Sequence, residues 1–573
     1  MTRKNFYFLL LLSLPFGVLN LHLGQSVDYD LMLYHFYNPF SLFNGRFNID
    51  IDPAHMQTYM NPLADIPFYF FNKSLGLHAS VFGFIQGAFQ GLTCFFYFKI
   101  FDLLTDFFAD HSLIQMNDNS YVAKNRLSSH TLRWRTAFCV VAATLSTCSP
   151  LFLDLLGTTF NDSTASLFWL AAFYMLLSRE KGSIRILWAG IFAGLGSGLK
   201  ITGLIFLIPT FLFIPIVLKF QLRSSLQLCF GIVSGFFLSA GWWALLLYKR
   251  FGNPLFPLYS GLFPNRFMNA INFSPRDANM YFEDWHDFFK VPFYLLNNKN
   301  PVVHLYQPFA DARLLVMLGL AVVTLSILIF KSESRRSKLI SPFVIFVSGF
   351  WLISYCLWFK TSMVLRYFVI GDQLIPVITF GLLAFLLSSF KFRVKFQPII
   401  IFTFLMTILF IFQKTPQSGA RYAWQSEFFR IQDKPALSQY GQAMILMPAR
   451  DNISYVIPYF PASSHFVRVQ GSLDFFNMSS EEYVQNIWSK VQSFKGSLYS
   501  MQLTYPGGKL NYPEQVMIQS ELTIAKTVDS IEKLYALHGL KLTSDCHNIE
   551  TIIHQFNDLV ICRLERVTSN AGP

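Results

Sequence analysis

The chain has 573 residues, of which 53% are hydrophobic and only 14% are charged, and 65 are phenylalanine. A soluble domain carries roughly 25% charged residues, so this composition predicts a polytopic membrane protein and excludes an ordinary soluble enzyme. The formal net charge of +12 does not indicate a nucleic-acid-binding protein, because the basic residues lie between hydrophobic segments, as they do in cytoplasmic loops.

The chain contains about eleven hydrophobic segments that are long enough, or nearly so, to cross a bilayer core of roughly 30 Å. We therefore predict an α-helical transmembrane domain over residues 1–413, with outer loops at 23–76 and 249–311. The predicted spans lie at 6–22, 77–101, 136–156, 163–179, 185–200, 201–219, 226–248, 312–330, 339–359, 365–389 and 396–413.

The basic connections set the predicted orientation. Lys and Arg are concentrated in every second connection, as in KSESRRSK at 331–338, and the positive-inside rule places such connections in the cytoplasm. The first segment is predicted to be an uncleaved helix. A signal peptide is the alternative, although Pro15 interrupts the apolar run and no A-x-A site follows it. With either reading, the loop at 23–76 lies outside the cytoplasm.

This first outer loop contains the sequence DYDLMLYHFYNPFSLF at 28–43. An amphipathic helix over this stretch places Asp30, Tyr34 and Asn38 on one face and puts its apolar residues against lipid. A carboxylate at the water–lipid boundary is suited to general base catalysis on a sugar hydroxyl. For Asp28 the alternative is a structural role as the cap of a helix that begins near Asp30.

A second pair of carboxylates, Asp50 and Asp52, lies in the sequence NIDIDP. Carboxylates are preferred ligands of Mg²⁺ and Mn²⁺, so the pair is a weak alternative metal site, with Asp28 and Asp30 as partners. Asp52 before a proline equally fits a simple turn. His35 lies in the same loop as a candidate contact to phosphate or sugar.

The tail at 414–573 is too polar to cross a membrane. It combines alternating apolar runs such as ISYVIPYF with periodic stretches such as SSEEYVQNIWSKVQSF, which predicts a small extracytoplasmic α/β domain. Cys546 and Cys562 lie in this domain, and an oxidising compartment favours a disulfide between them. Two unpaired core thiols are the alternative.

An acidic residue directly after the first predicted span, followed by a predicted interfacial helix, resembles the GT-C superfamily of integral membrane glycosyltransferases. The pattern D-x-x-x-Y, here Asp30 to Tyr34, is similar to the polyprenol-phosphate mannosyltransferase-like branch, glycosyltransferase family 87. Three further stretches resemble common GT-C features. They are GTTFNDSTASLFWL with Asn161 and Asp162, AGLGSGLKITGL with Lys200, and VLRYFVIGDQLIP with Arg366 and Tyr367.

The resemblance covers the membrane part of the chain. It implies that a sugar is transferred from a polyprenyl-phosphate donor to an acceptor hydroxyl on the outer side of the membrane, with Asp30 or Asp28 as the base. The acidic pair is D-Y-D rather than the adjacent D-E of several GT-C families, which leaves open which aspartate acts. The leaving phosphate needs cations, for which Lys200 and Arg366 are the best candidates. The remaining candidate substrate contacts are Tyr34, His35, Asp162 and Tyr367.

The partners implied are the lipid-linked sugar, membrane lipids and a glycan, lipid or protein acceptor, without nucleic acid. A divalent cation, Mg or Mn, is an open cofactor. The implied location is the bacterial inner membrane, with the tail in the periplasm. Three other functions stay open: a transporter or lipid-linked glycan flippase, a glycan polymerase or ligase, and a non-catalytic scaffold. A transporter would need charge deep in the spans, where Asp372 and Asp154 are the candidates.

Overall fold

The computed structural model describes residues 3–114, 129–178, 182–219, 221–270, 286–296, 310–329, 342–389, 397–414, 420–432, 434–449, 451–470, 478–504, 531–551 and 558–567. The fold is mostly helical, at 68%. The chain forms two compact units, each assembled from separate stretches of sequence. The first unit comprises 1–26, 83–242 and 274–421, and the second comprises 27–82, 243–273 and 422–573. The sequence had instead predicted a single boundary, at 413.

Helices form most of the first unit. Among the described residues, the α-helices with defined bounds are, in chain order, α1 (Arg3–Leu23), α2 (Tyr37–Phe43), α3 (Ile66–Tyr69), α4 (Ala79–Gln90), α5 (Leu92–Ile114), α6 (Ser129–Thr147), α7 (Pro150–Leu155), α8 (Asp162–Leu177), α9 (Ser183–Leu199), α10 (Leu207–Val217), α11 (Leu222–Phe236), α12 (Trp242–Phe251), α13 (Asp287–Tyr294), α14 (Arg313–Ile329), α15 (Pro342–Thr361), α16 (Val369–Ser389), α17 (Gln397–Phe412) and α18 (Glu481–Ser493).

Four helices among the described residues are long and apolar enough to cross a membrane. They are Asn5–Leu23, Ala79–Phe108, Leu222–Phe251 and Leu365–Leu387. Shorter apolar helices accompany them at Asp162–Leu177, Ser183–Leu199, Ile201–Phe213, Arg313–Ile329 and Gln397–Phe412. These helices are compatible with an integral membrane protein, but they do not establish eleven full-length spans.

Interruptions explain part of this difference. The segment predicted at 201–219 begins as a 3₁₀ turn, Ile201–Phe206, before α10 starts. Lys200, which precedes this turn, has an extended backbone with φ −138° and ψ 120°. The Gly-rich sequence around Lys200 therefore separates two helices at the boundary between the predicted spans 185–200 and 201–219.

Helices α9 and α11 pack with their backbones in close contact. A Cβ atom added to Gly194 would lie 2.1 Å from the carbonyl oxygen of Ile232, and one added to Gly235 would lie 2.1 Å from that of Ile191. Real Cβ atoms do not approach other atoms so closely, so only glycine fits at these positions. Such close approach by small residues is typical of helix pairs in membranes.

The second unit is built around a five-stranded mixed sheet, and β1 and β2 form a separate two-stranded pair. The order in the sheet is β4-β3-β5-β7-β6. β3 is parallel to both β4 and β5, whereas β7 runs antiparallel between β5 and β6. The strands are β1 (Gln25–Val27), β2 (Ala420–Tyr422), β3 (Met444–Met447), β4 (His465–Arg468), β5 (Leu498–Thr504), β6 (Leu540–Ile549) and β7 (Asp558–Arg566).

The first outer loop is part of this second unit and shares its core. Leu31 and Phe36 are fully buried, and the Phe36 ring lies 4.7 Å from the ring of Phe429 in the tail. Ile51 continues the sheet, because it pairs with Val467 of the edge strand β4. The prediction that the apolar side of the loop helix faces lipid is therefore wrong, since the tail supplies aromatic side chains that cover it.

A disulfide joins Cys546 on β6 to Cys562 on β7, with a Cα–Cα distance of 4.0 Å. The two residues are directly paired in the antiparallel register of these strands. Antiparallel neighbours bring their Cβ atoms close enough for such a bond. The disulfide therefore joins β6 and β7 covalently, in addition to their backbone hydrogen bonds.

Candidate functional site

The first cluster of candidate residues lies at the start of loop 27–82, in the second unit. Asp28 caps the helical turn that follows it, since its Oδ1 atom accepts a hydrogen bond from the backbone N–H of Leu31 at 2.8 Å. A cap of this kind satisfies a backbone donor that lacks a helical partner. This contact gives Asp28 a structural role. Asp30, which lies within the turn and is 9% exposed, is the stronger candidate for the base.

The turn that carries Asp30 is not a regular α-helix. Residues Leu31–His35 form a π-helical turn before α2 begins. In such a turn the hydrogen bonds join residues five apart, so His35 as well as Tyr34 lies one turn beyond Asp30. The rings of Tyr34 and His35 are in contact, with centroids 4.0 Å apart. Asn38, predicted to share this face, instead donates to two backbone carbonyls of a neighbouring turn.

His35 forms a buried pair with Asp65. Its Nδ1 atom lies 2.7 Å from Oδ1 of Asp65, and the two side chains are only 1% and 2% exposed. Because a carboxylate can only accept, Nδ1 carries the proton and donates it. The other ring nitrogen, Nε2, is buried and has no hydrogen-bond partner among the described residues.

The charges around His35 favour its protonated form. Burial acts to lower the pKa of the imidazole, but the charge and hydrogen bond of Asp65, together with the charges of Asp30 and Asp28, more than offset it. The pKa of His35 is therefore raised above its ordinary value of 6.5. The charges of Asp30 and Asp28 contribute less to this pKa than Asp65 does.

Asp50 is held in the interior by a guanidinium. Arg46, which is 2% exposed, donates to both carboxylate oxygens, from Nε at 2.9 Å and from Nη2 at 2.5 Å. The phenol of Tyr37 and the backbone N–H of Phe466 donate to the same carboxylate at 2.8 and 3.0 Å. Burial raises the pKa of Asp50, and Arg46 opposes that effect.

Asp52 is bound by two buried phenols. Tyr483 donates to its Oδ2 atom at 2.8 Å, and Tyr59 donates to its Oδ1 atom. The backbone carbonyl of Asp52 accepts from the N–H of His55 at 2.8 Å, which is the turn that the sequence before Pro53 favours. Burial and the Asp52 charge raise the pKa of both tyrosines well above the ordinary value.

These contacts do not fit a divalent cation at Asp50 and Asp52. A positive guanidinium already binds the first carboxylate, and it would repel a metal ion placed there. The described residues contain no group of three or more His, Cys, Asp or Glu side chains that could hold a metal ion. The oxygens of Asp50 and Asp52 that a metal ion would have to bind therefore already accept hydrogen bonds from protein donors.

The second cluster lies in the first unit and brings together residues from α8, the break after α9 and the 3₁₀ turn Leu365–Phe368 that precedes α16. Lys200 Nζ lies 2.7 Å from Oδ2 of Asp162, with the side chains 14% and 2% exposed. The same ammonium lies 5.6 Å from the centroid of the Tyr367 ring. Three of the residues that the sequence predicted for substrate binding are thus neighbours.

Arg366 belongs to the same cluster. Its guanidinium carbon lies 4.1 Å from the centroid of the Phe160 ring and 5.2 Å from that of Tyr367. An arginine stacked on aromatic rings keeps its planar donor edge oriented for bidentate binding of phosphate. Arg366 and Lys200 therefore provide two cations in one polar and aromatic setting.

A separate ionic cluster is buried in the first unit around Arg313. Its Nη2 atom lies 2.6 Å from both Asp311 Oδ2 and Asp372 Oδ1. The hydroxyl of Ser149 donates to the other oxygen of Asp372 at 3.3 Å. Asp372, the predicted deep charge, is thus neutralised by an arginine that ties the starts of α14 and α16 together.

Two members of these clusters were not predicted from the sequence. Asp65 lies thirty residues from His35 in the irregular stretch NPLADIP, and no spacing rule links the two. Phe160 is one phenylalanine among 65, and only the fold shows that it supports a cation.

No protein-family model, curated protein or solved structure matches the chain.

Proposed function

We propose that the chain is a membrane glycosyltransferase that moves a sugar from a polyprenyl-phosphate donor to an acceptor hydroxyl on the outer side of the membrane. The observation that carries this proposal is the setting of Asp30. It is a nearly buried carboxylate in the first helical turn after a membrane-length helix. Its charge is one of those that raise the pKa of His35, which is paired with Asp65.

In the proposed reaction, Asp30 takes the proton of the acceptor hydroxyl. The hydroxyl oxygen forms a bond to the anomeric carbon while the bond from that carbon to the phosphate oxygen breaks. The electron pair of the broken bond leaves with the polyprenyl phosphate, and the configuration inverts. A positioned general base of this kind contributes roughly 10²- to 10⁴-fold to the rate.

The leaving phosphate gains negative charge, which preorganised cations stabilise. Arg366 and Lys200 are the residues proposed for this task. Arg366 offers a planar guanidinium for bidentate contacts, whereas Lys200 already shares its charge with Asp162. We therefore expect Arg366 to bind phosphate more strongly. Tyr34, His35 and Tyr367 are the proposed contacts to sugar and headgroup. No step is routed through a metal ion, because protein donors already bind the carboxylates of Asp50 and Asp52.

We include the membrane topology in the same proposal. The chain crosses a bacterial inner membrane eleven times, with the N-terminus in the cytoplasm and the sheet in the periplasm. The support is the alternation of basic connections with apolar helices, together with the disulfide between Cys546 and Cys562, which suits an oxidising compartment.

Release of polyprenyl phosphate from a panel of polyprenyl-phosphate sugars tests the proposal. The full chain in lipid nanodiscs is compared with Asp30→Asn, with Asp28→Asn, and with a sample treated with EDTA. Asparagine caps helices as well as aspartate does, so Asp28→Asn is a matched control that removes a charge and keeps the cap. We expect turnover to disappear in Asp30→Asn and to persist in the control. Equal activity of Asp30→Asn and the native chain would refute the mechanism.

A transporter or flippase is the second candidate, and the ionic cluster around Arg313 favours it. Buried ionisable residues on apolar helices mark transport pathways by default. Movement of a fluorescent polyprenyl-phosphate lipid across proteoliposomes distinguishes the two. Flipping without release of polyprenyl phosphate, and its loss in Asp372→Asn, would replace the glycosyltransferase with a transporter.

A further inference from the structure

Two lysines of the second unit converge on one tyrosine ring. Nζ of Lys73 lies 4.2 Å from the centroid of the Tyr459 ring, and Nζ of Lys434 lies 5.4 Å from the same centroid. Lys73 also donates to the backbone carbonyl of Pro458 at 3.1 Å. An aromatic face attracts a cation, but two like charges near one ring repel each other. Partial burial lowers the pKa of Lys73, and the charge of Lys434 lowers it further, whereas the charge of Glu427 opposes both effects.

An open depression of about 500 Å³ lies beside Lys434. Lys434, Arg430 and Glu427 line it, together with the polar side chains of Ser426 and Gln432. Nζ of Lys434 lies 2.5 Å from Oε2 of Glu427, with the side chains 37% and 54% exposed, so water weakens this ion pair and a second anion can compete for the ammonium. Arg430 has a left-handed backbone with φ 34°, which is unfavourable for a large side chain and recurs at binding sites.

The loop that carries Lys73 lies directly before a membrane-length helix. That helix spans Ala79–Phe108, and the residues before it include Phe70, Leu75 and Leu77, whose side chains are 49%, 47% and 41% exposed. Exposed apolar side chains next to a membrane helix are expected at the lipid interface, and a lysine among them extends its ammonium to the level of the phosphate headgroups. This position favours a lipid phosphate over a soluble anion as the ligand.

We propose that Lys73, Lys434 and Arg430 bind the phosphate headgroup of an anionic phospholipid. The phosphate neutralises the two ammonium groups that repel each other at Tyr459, and the guanidinium of Arg430 adds planar donors that match the phosphate oxygens. Glu427 competes with the phosphate for the ammonium of Lys434. The inference concerns a lipid bound at the surface of the second unit and does not depend on the glycosyltransferase reaction.

Lipid retention by the full chain tests this site. The chain is reconstituted in nanodiscs of phosphatidylcholine with a minor fraction of phosphatidylglycerol and released into a mild detergent, and the lipids that stay bound are counted by native mass spectrometry. The native chain is compared with Lys73→Gln combined with Lys434→Gln. Lys490→Gln combined with Lys495→Gln is the matched control, because it removes the same charge from two exposed lysines of the same unit.

We expect the native chain to retain phosphatidylglycerol in preference to phosphatidylcholine. Loss of both site lysines should reduce this preference by at least about fivefold, because each basic residue near an anionic lipid surface contributes a factor of roughly five to the affinity. The control should keep the preference, and so should Lys73→Arg combined with Lys434→Arg, which keeps both charges. Equal losses in the site and control variants, or an unchanged preference in the glutamine variant of the site, would refute the proposal.

Glu427 provides a prediction of the opposite sign. Glu427→Gln removes the carboxylate that competes for Lys434, so retention of phosphatidylglycerol should increase. Glu481→Gln, at an exposed glutamate of the same unit, changes the net charge equally and should increase retention less. An equal increase in both variants would show attraction by net charge alone and would contradict a site at Lys434.

The source of the phosphate is tested with soluble and lipid competitors. Inorganic phosphate or glycerol 3-phosphate is added at increasing concentration to the native chain in the mixed nanodiscs, and neither should displace phosphatidylglycerol at a concentration equal to that of the lipid. Displacement by either at that concentration would assign the site to a soluble phosphate and overturn the lipid. Retention of polyprenyl phosphate in place of phosphatidylglycerol, from nanodiscs that contain both, would also overturn the proposal.

Discussion

The guanidinium of Arg46 is the clearest single point at which the first outer loop is bound to the sheet of the second unit. It is 2% exposed and makes two hydrogen bonds to Asp50, at 2.9 and 2.5 Å. It also donates to the backbone carbonyls of Ala462 and Ser464 at 2.6 and 2.5 Å. These carbonyls lie just before β4, so Arg46→Met removes the contact between loop and strand without removing apolar volume.

The expected cost follows from what the substitution leaves behind. Removing one partner of a buried ion pair typically destabilises by about 3–5 kcal/mol, because the other charge stays buried and uncompensated. Two carbonyls also lose a donor, at about 1–3 kcal/mol each if no substitute is found, although these terms do not add fully. We therefore expect Arg46→Met to lower the free energy of unfolding of the second unit by at least about 3 kcal/mol.

Pulse proteolysis of the full chain in nanodiscs, across a urea series, measures this loss. Arg250→Met is the matched control, because Arg250 is an exposed arginine of the same unit whose Nη1 donates to Asn48 at 2.5 Å. Exposed contacts are worth about 0–1 kcal/mol. Arg46→Met combined with Asp50→Asn should be less destabilised than Arg46→Met alone, since the stranded charge is gone.

The sign of the pH dependence gives an independent check. Without Arg46, the burial that already raises the pKa of Asp50 is opposed less, so the folded chain binds a proton more readily than the unfolded chain. The loss should therefore shrink as the pH falls. A loss below about 1 kcal/mol, or a double variant no better than the single one, would refute the account of Arg46 as a buried charge partner.

Three further predictions concern packing, capping and charge. Gly194→Ala should separate α9 from α11 and destabilise the protein by about 1–3 kcal/mol, because its Cβ would meet the Ile232 carbonyl. Gly319→Ala is the control, because a Cβ there meets nothing within 4 Å, and it should leave stability unchanged in the same thermal unfolding assay. Asp28→Ala should lower stability by about 0.5–2 kcal/mol through loss of the cap, and Asp28→Asn should not; equal losses in chemical unfolding would exclude capping. Because the pKa of His35 is raised in the folded chain, the stability that its charge adds should be complete below pH 6.5 and fade as the pH rises through the folded value. The Tm difference between the native chain and His35→Gln should shrink as the pH rises, and a difference that grows with pH would contradict this prediction.

Local pattern in the sequence predicted the features that depend on neighbours along the chain. The apolar runs indicated membrane-length helices, and the predicted boundary between the spans 185–200 and 201–219 coincides with the break at Lys200. The acidic residue at position 28 could be assigned as a cap or as a base, and only the hydrogen bond to Leu31 shows the cap. Cap geometry depends on a few adjacent residues, so it lies within reach of sequence reasoning.

Features that depend on distant contacts were out of reach. The helix at 28–43 was predicted to be amphipathic and lipid-facing, because an isolated apolar face has no other obvious partner. The tail, nearly four hundred residues further along, covers that face with Phe429. In the same way, the sequence offered Asp50 and Asp52 as a weak alternative metal site, whereas in the fold Arg46 and the buried phenols of Tyr59 and Tyr483 bind their oxygens. A carboxylate in a sequence does not show whether its donor will be a metal or a protein group.

The packing of the first outer loop also bears on the purpose of the C-terminal sheet. The turn that carries Asp30 and His35 has Leu31 between them, and that side chain is fully buried in the core it shares with the tail. A general base must be held to within a fraction of an ångström to act on a bound hydroxyl, and a short π-helical turn has too few hydrogen bonds to hold such a geometry by itself. The aromatic core and the Ile51 bridge to β4 supply that rigidity. The sheet and its aromatic core therefore support the turn that carries the proposed base.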